Sequence, residues 1–205
     1  MYKIYHFTET DKEKVYEFMQ RNSFAIVTGI QNNFPVATHI PLEVKKQNEQ
    51  IIFTGHIMKD SDHYKAFSQN ENVLVIFTGP HCYVSASWYV TKNVASTWNY
   101  IDVHAKGKIK FTDDEGTKLI IENITKQYEG TVSAAAFHKM PVEYVDRMLK
   151  AIIGFQIEVE SLDNVFKLSQ NRDELSRQQI IENLKKSNGF FAKEIAKEME
   201  MRVKK

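Results

Sequence analysis

The stretch Ile153–Glu160, IGFQIEVE, decides the fold class because apolar and other residues alternate through it without interruption. The apolar positions are Ile153, Phe155, Ile157 and Val159, and the positions between them are Gly154, Gln156, Glu158 and Glu160. A period of two predicts a β-strand with one face in the core and one face in water. Such a strand is typical of an antiparallel sheet.

Several shorter strand candidates precede this stretch: Phe24–Ile30, Val36–Leu42, Ile51–Thr54, Val73–Thr78 and Val103–Phe111. The sequences Gln31-Asn32-Asn33 and Gly79-Pro80 are typical of turns, so the chain is predicted to reverse at both. Strands come first and helices gather near the end. That order predicts a mainly β, α+β fold: an antiparallel sheet closed into a barrel, with peripheral helices and a helical C-terminus.

Helix signals are local and specific. Thr10 or Asp11 is predicted to cap a first helix that turns Val15, Phe18 and Met19 inward. Further helices are predicted within 59–70, after a capping box formed by Thr112 and Glu115, and from Met140-Pro141, where Val145, Met148 and Leu149 share one side. The last two helices, Asp173–Lys186 and Phe190–Val203, are separated by Ser187-Asn188-Gly189. With no linker in the sequence, residues 1–205 are predicted to form a single domain, with 173–205 as its helical extension.

Composition excludes several classes of protein. The net charge of the 205 residues is +1, which argues against tight non-specific binding to DNA. One cysteine, Cys82, allows no internal disulfide and is typical of a reducing cytoplasm. We find no signal peptide and no apolar run near the roughly 20 residues that span a bilayer, so a cytoplasmic protein is expected.

Nucleotide and metal motifs are missing. No two glycines are close enough for a glycine-rich phosphate loop, and no histidine pair forms a zinc motif. His56 and His63, with Asp60 and Asp62 between them, leave a metal site open as the less favoured alternative to surface polar residues. Cys82 is predicted to be a packed small hydrophobe.

Four segments combine aromatic, amide and hydroxyl side chains: residues 54–59, 78–89, 96–104 and 167–172. Two interpretations stay open from the pattern. The aromatic residues belong to a core or an interface and the polar ones cap helices, or together they hold a planar anionic ligand.

At these segments the chain resembles the PaiB family of FMN-binding regulators, named for control of protease synthesis and sporulation. The markers are Gly79-Pro80-His81 with Tyr83 and Ser85, Ser87-Trp88-Tyr89, Thr97-Trp98-Asn99-Tyr100 with Val103-His104 and Gly107, and Gly154-Phe155 leading to Lys167–Arg172. The resemblance implies the split β-barrel of pyridoxine-phosphate oxidases, and a homodimer with flavin mononucleotide (FMN) at its interface.

The resemblance also implies the cofactor-binding residues. Lys59 is assigned to the FMN phosphate, Thr97, Trp98 and Asn99 to the flavin ring, and Gln170 and Arg172 to closing the site. The remaining members of the set are His39, Phe53, Thr54, Gly55 and His56.

Two functions follow, and the sequence assigns no general base that would decide between them. One is an FMN-binding negative transcriptional regulator without turnover. The other is an FMN-dependent oxidoreductase acting on a small molecule. A third possibility is that residues 173–205 form a helix-turn-helix that binds DNA. Their eight basic residues against six acidic ones leave a surplus too small to favour phosphate binding.

Overall fold

The computed structural model describes residue 1 and residues 4–202. In that part of the chain the strands are β1 Phe24–Gln31, β2 Phe34–Pro41, β3 Glu43–Gln47, β4 Gln50–Met58, β5 Asn72–Val84, β6 Thr97–Phe111 and β7 Ile152–Lys167. The α-helices are α1 Lys12–Arg21, α2 Asp62–Gln69, α3 Asp114–Glu129, α4 Val142–Ala151, α5 Glu174–Lys186 and α6 Ala192–Glu200.

All seven strands belong to one sheet, in the order β2-β1-β5-β6-β7-β4-β3. The pairs β1–β2, β1–β5, β3–β4 and β4–β7 are antiparallel. The predicted α+β class with an antiparallel sheet is confirmed.

The chain divides into two compact units. The first unit comprises Met1–Phe18, Thr78–Val103 and Asp163–Lys205, and the second comprises Met19–Phe77 and His104–Leu162. The strands β5, β6 and β7 contribute residues to both. The single domain predicted for residues 1–205 stays a prediction.

The core of the second unit forms where β4 and β7 pair. Phe53 is fully buried, and its ring meets the ring of Phe77 edge-on at 5.1 Å between centroids. Phe155, Ile157 and Val159 on β7 are buried too, while Gln156 and Glu158 are partly exposed and Glu160 is exposed, as the alternation predicts. At the start of the stretch the prediction is wrong, because Ile153 is partly exposed and Gly154 is buried.

In the first unit, α5 and α6 pack against each other and bury Ile180, Leu184, Ile195 and Met199. Asp173, predicted as the first residue of this helix, is its N-cap, because its carboxylate accepts a hydrogen bond from the backbone N–H of Ser176 at 2.9 Å. The helix predicted for Phe190–Val203 is α6, which begins at Ala192 after its N-cap Phe191 and ends at Glu200; Val203 lies outside the described residues.

The predicted turn at Gly79-Pro80 is wrong, because β5 continues through both residues to Val84. Gly79 serves packing: a Cβ atom there would lie 2.6 Å from the ring of Phe18. Pro80 lies beyond Leu74–Ile76, the part of β5 that pairs with β1, so its missing N–H does not interrupt that ladder.

Two smaller predictions are also corrected, and a third is narrowed to one of its two residues. The cap of α3 is Asp113, whose carboxylate accepts from Gly116 N at 2.8 Å, while Thr112 hydrogen-bonds the hydroxyl of Thr117. Strand β4 continues through Gly55 to Met58, and β3 was not predicted. The cap of α1 is Asp11, one of the two predicted residues, and it accepts from Glu13 N at 3.0 Å.

Candidate functional site

The predicted cofactor-binding residues fall into two groups, one in each unit. The second unit holds His39, Phe53, Thr54, Gly55, His56 and Lys59, and the first unit holds Thr97, Trp98, Asn99, Gln170 and Arg172.

In the second unit, alternation along β4 separates the predicted residues. Phe53 and Gly55 point into the core, where a Cβ atom on Gly55 would lie 2.8 Å from the ring of Phe155. Thr54 and His56 occupy the opposite face and are partly exposed. His39 lies on the edge strand β2, exposed, with its ring stacked on Phe24 at 5.8 Å. Thr54, His56 and His39 are therefore the members of this group on β2 and β4 whose side chains a ligand can reach.

His56 carries an unsatisfied polar atom. Its Nδ1 atom is buried and has no hydrogen-bond partner, and the residue opposite it on β7 is Gly154, which has no side chain. Burial lowers the pKa of the imidazole below its usual value, so the ring is neutral at physiological pH. A buried nitrogen without a partner is costly, and a ligand group reaching it would remove that cost.

Lys59 is anchored at the end of α4. Its ammonium donates to the carbonyl of Leu149 at 3.1 Å and lies 3.8 Å from the Asp114 carboxylate, with 35% of the side chain exposed. An ammonium has three protons and the Leu149 carbonyl takes one, so an anion can still bind. Lys59 therefore fits the predicted role at the phosphate.

In the first unit, the predicted residues are organised by Asn99. This side chain is fully buried, and its Oδ1 atom accepts from the hydroxyl of Ser169 at 3.1 Å. Ser169 has a φ of 59°, in the left-handed region that a non-glycine residue adopts at a cost. The bond joins β6 to the segment Lys167–Arg172, hereafter the polar turn.

Gln170 holds the polar turn in shape. Its amide nitrogen donates to the carbonyl of Phe166, and its amide oxygen accepts from the backbone N–H of Leu168 at 2.7 Å. Both ends of the side chain are thus used within the turn. Sequence reasoning predicted a ligand contact for Gln170, and the structure shows this local function.

Two cations flank the polar turn. The Arg172 guanidinium lies 4.3 Å above the ring of Tyr89, and the Lys167 ammonium donates to the hydroxyl of Thr97 at 2.6 Å. Burial, and secondly the charge of Arg172, lower the pKa of Lys167. Neighbouring positive charges favour an anion beside them. Lys167 and Tyr89 were not in the predicted set, although both lie in the segments from which it was drawn.

Trp98 remains available to a ligand, because 54% of its surface is exposed. Its ring lies 6.3 Å from the ring of His81 and 6.1 Å from that of Tyr83. The first unit therefore offers an aromatic face and two cations, and the second offers a cation and an unsatisfied imidazole nitrogen. Within the first unit, an aromatic face beside two cations fits a flat, anionic molecule.

Asp102, on β6 in the first unit, is a further polar group that sequence reasoning missed. Its Oδ1 atom is buried without a partner. Burial raises the pKa of this carboxyl to about 6, and the Thr78 hydroxyl, the nearby His81 and the Gly79 N–H oppose that rise. Only a long-range contact between β5 and β6 reveals this environment.

The structure also describes the residues of the other interpretations, among them the metal site, Cys82 and the C-terminal helices. Among the described residues, no group of three His, Cys, Asp or Glu side chains could hold a metal ion, and none of the described helices could cross a membrane. Cys82 is buried, and burial raises the pKa of its thiol to about 11, as expected of a packed small residue. Lys185, at the end of α5, is paired with Glu200 of α6.

A family profile described as "Putative FMN-binding domain" matches residues 1–161. A protein of Bacillus subtilis named "Protease synthase and sporulation protein PAI 2" is 36% identical over 209 residues, covering 100% of this chain and 99% of its own length. The chain belongs to the PaiB-type family of FMN-binding proteins. FMN, the cofactor predicted from the sequence, is confirmed as the cofactor of this family.

Solved structures of two flavin proteins share the fold of this chain. The FAD- and heme-binding protein of Mycobacterium smegmatis matches with a TM-score of 0.59 at 14% identity, covering 78% of this chain and 73% of that one. A flavocytochrome of Azotobacter vinelandii also scores 0.59 at 14% identity, with coverage of 81% and 72%. At this level of identity the likeness concerns the fold alone.

The family profile covers the predicted residues from His39 to Asn99 but ends before Gln170 and Arg172. The similarity to the Bacillus subtilis protein extends over the polar turn and the two C-terminal helices as well. The assignment of individual residues to FMN stays a prediction.

Proposed function

We propose that this chain is a cytoplasmic FMN-binding transcriptional regulator that works as a homodimer with FMN at the interface, and that it has no catalytic turnover. The observation that carries the proposal is the 36% identity, over both full lengths, to a protein named for protease synthesis and sporulation. Agreement over the whole length includes the polar turn and the C-terminal helices, which lie beyond the family profile.

In this proposal, Lys59 binds the FMN phosphate and His56 donates or accepts a hydrogen bond through its unsatisfied Nδ1 atom. Trp98 contacts the flavin ring, and Lys167 and Arg172 supply positive charge beside it. Bound FMN would supply a redox-active ring system. The residues bind and orient it, and the cations favour additional negative charge on the ring.

Exposed apolar side chains support the homodimer. Phe24, Ile30 and Phe34, at the ends of β1 and β2, are exposed by 64%, 55% and 75%. Strand β2 also forms one edge of the sheet. Apolar side chains beside an open edge are typical of a surface covered by a partner.

FMN binding is tested with the purified full-length chain, which is mixed with FMN, desalted and examined by visible absorption and by sedimentation velocity. We expect flavin absorbance to travel with a dimer. Lys59→Met should weaken FMN affinity roughly tenfold or more, because it removes a charge-assisted bond to phosphate.

Lys65→Met is the matched control, since Lys65 is an exposed lysine of the same unit with only a 3.8 Å ion pair to Asp60. Equal FMN affinity in Lys59→Met and Lys65→Met would show that Lys59 does not bind FMN. A chain that retains no flavin at all would contradict the proposed cofactor binding.

The regulatory role is tested separately. Transcripts are compared between a deletion strain and strains complemented with the wild-type chain or with Lys59→Met. We expect a set of genes to rise in the deletion strain and to return with the wild type alone. An unchanged transcriptome, or steady oxidation of NADH or NADPH by the FMN-loaded protein, would contradict a regulator without turnover.

A further inference from the structure

The link between the last two helices combines an asparagine and a glycine. Helix α5 ends at Lys186 and α6 begins at Ala192, and Asn188 and Gly189 lie between them. Of the asparagines in the chain, only Asn188 is followed by a glycine. Both residues are exposed and lie outside any helix or strand. The link therefore presents to solvent the one asparagine whose following residue has no side chain.

The backbone nitrogen of Gly189 is open to reaction. Its N–H is not part of a helix and donates to the hydroxyl of Ser187 at 3.1 Å. A hydroxyl can donate as well as accept, so after rotation it can stabilise this nitrogen once the proton has left. Glycine also has no Cβ atom that would crowd the nitrogen or restrict the backbone angles that an attack requires. Gly189 therefore supplies a nucleophile with little steric hindrance.

The side-chain amide of Asn188 is not held in place. It makes no hydrogen bond to any residue in the described part of the chain. Rotation of the side chain can bring its amide carbon to the nitrogen of the next residue, where bond formation closes a cyclic imide. An exposed position outside regular structure leaves the backbone room to follow that rotation.

We propose that Asn188 is a site of spontaneous covalent modification, at which asparagine is converted to aspartate and isoaspartate. The nitrogen of Gly189 forms a bond to the amide carbon of Asn188. The bond from that carbon to the amide nitrogen breaks, and ammonia leaves with the proton from Gly189. Water then opens the cyclic imide. Opening at the former side-chain carbon gives aspartate, and opening at the main-chain carbonyl gives isoaspartate.

The modification changes the link between the helices. Either product places a negative charge beside the basic end of α5, which carries Lys185 and Lys186. Isoaspartate also routes the main chain through the side-chain carbon, which lengthens the link between two helices that pack against each other. The lysines favour the new charge. The longer link, by contrast, disturbs the turn in which Ala192 N donates to the Gly189 carbonyl at 3.1 Å.

The full-length protein is incubated at mildly alkaline pH, folded and in urea, and its peptides are mapped by mass spectrometry for deamidation at each asparagine. We expect Asn188 to react roughly tenfold or more faster than Asn93, an exposed asparagine of the same unit that is followed by the β-branched Val94. At Asn188 the folded and unfolded chains should react at rates within about threefold of each other, because folding leaves the link exposed.

Two variants test the chemistry of the step. Gly189→Ala should slow the reaction roughly tenfold or more, because its Cβ atom restricts the backbone and lies 3.3 Å from the Ser187 hydroxyl. Asn188→Gln keeps an exposed amide but has to close a larger ring, so it should release no ammonia from this position over the same period. Circular dichroism confirms that both variants fold, and a methyltransferase specific for isoaspartate identifies that product.

Deamidation of Asn188 in urea but not in the folded protein would overturn the proposal, because the turn would then hold the reacting groups apart. Equal rates at Asn188 and Asn93 would overturn it as well. The isoaspartate form, separated by chromatography, should unfold at a lower urea concentration than Asn188→Asp, and coinciding transitions would contradict the effect of the longer link. The reaction needs only water, so its failure leaves the proposed FMN binding and regulation standing.

Discussion

Replacing Asp102 with Asn should stabilise the protein at neutral pH and leave its stability unchanged in acid. The carboxyl is partly buried, one of its oxygens has no partner, and its pKa is raised to about 6. Between about pH 4 and pH 6 the folded protein thus holds a proton at this site that the unfolded chain, with an ordinary pKa of 3.8, has released. Asn keeps an acceptor for Thr78 and Gly79 and carries no charge at any pH.

The sign and size of the change in the free energy of unfolding follow from the linkage between proton binding and folding. Between about pH 4 and pH 6 the folded state binds more protons than the unfolded state, so this group lowers the free energy of unfolding as the pH rises through that window. A rise in pKa from 3.8 to about 6 corresponds to about 3 kcal/mol above that window. Solvent screening of the partly exposed carboxylate reduces this to about 1–2 kcal/mol.

The assay is urea unfolding of both proteins, followed by circular dichroism, at several values between about pH 4 and pH 8. We expect the two free energies of unfolding to coincide at the acid end and Asp102→Asn to exceed wild type by about 1–2 kcal/mol at the alkaline end. Asp60→Asn, at a carboxylate with 99% side-chain exposure, should follow wild type throughout. Destabilisation by Asp102→Asn at every pH would refute the reasoning, since the hydrogen bonds of the carboxylate would then outweigh its desolvation.

Three further predictions concern stability and reactivity. Ser169→Ala should lower the free energy of unfolding by about 2 kcal/mol, because it leaves the buried Asn99 oxygen without its hydrogen bond. Ser169→Gly should lose about 1 kcal/mol less, because glycine adopts the left-handed φ of this position without strain. Both losses are measured by urea unfolding, and equal losses would contradict the backbone argument. Gly55→Ala should lose about 1–3 kcal/mol in the same assay, because the new methyl group meets the Phe155 ring at 2.8 Å. Cys82 should react with a disulfide reagent roughly a hundredfold slower in the native protein than in urea, given its burial and raised pKa; a native rate near that in urea would show an accessible thiol.

Much of the fold could be predicted because each face of a secondary-structure element meets one environment. From Phe155 to Glu160 the predicted alternation follows the buried and exposed faces of β7, whereas Gly154, predicted to face water, is buried against Thr112 and α3. On α4, the predicted inward side of Val145, Met148 and Leu149 is the partly buried one, while the other residues of the helix are exposed. Patterns of this kind are local, so they can be found in the sequence.

Errors arose where a distant contact overrides a local signal. Gly79-Pro80 has the composition of a turn, and the ring of Phe18, which lies 61 positions earlier in the chain, requires glycine within a continuing strand. The candidate site likewise depends on contacts between residues that are distant in the sequence. Asn99 and Ser169 are 70 residues apart, and no pattern indicates that they bond. The role of Gln170 within its own turn depends on a left-handed neighbour that the sequence does not disclose.

Lys59, directly after β4, is joined to the last turn of α4 by two hydrogen bonds. The ammonium of Lys59 reaches Leu149, and the main-chain N–H of the same residue donates to the carbonyl of Ala151 at 2.9 Å. The second hydrogen bond comes from the backbone and does not use the side chain of residue 59. A different side chain at position 59 can therefore change the charge available to bind an anion, while the backbone hydrogen bond still joins this position to the end of α4.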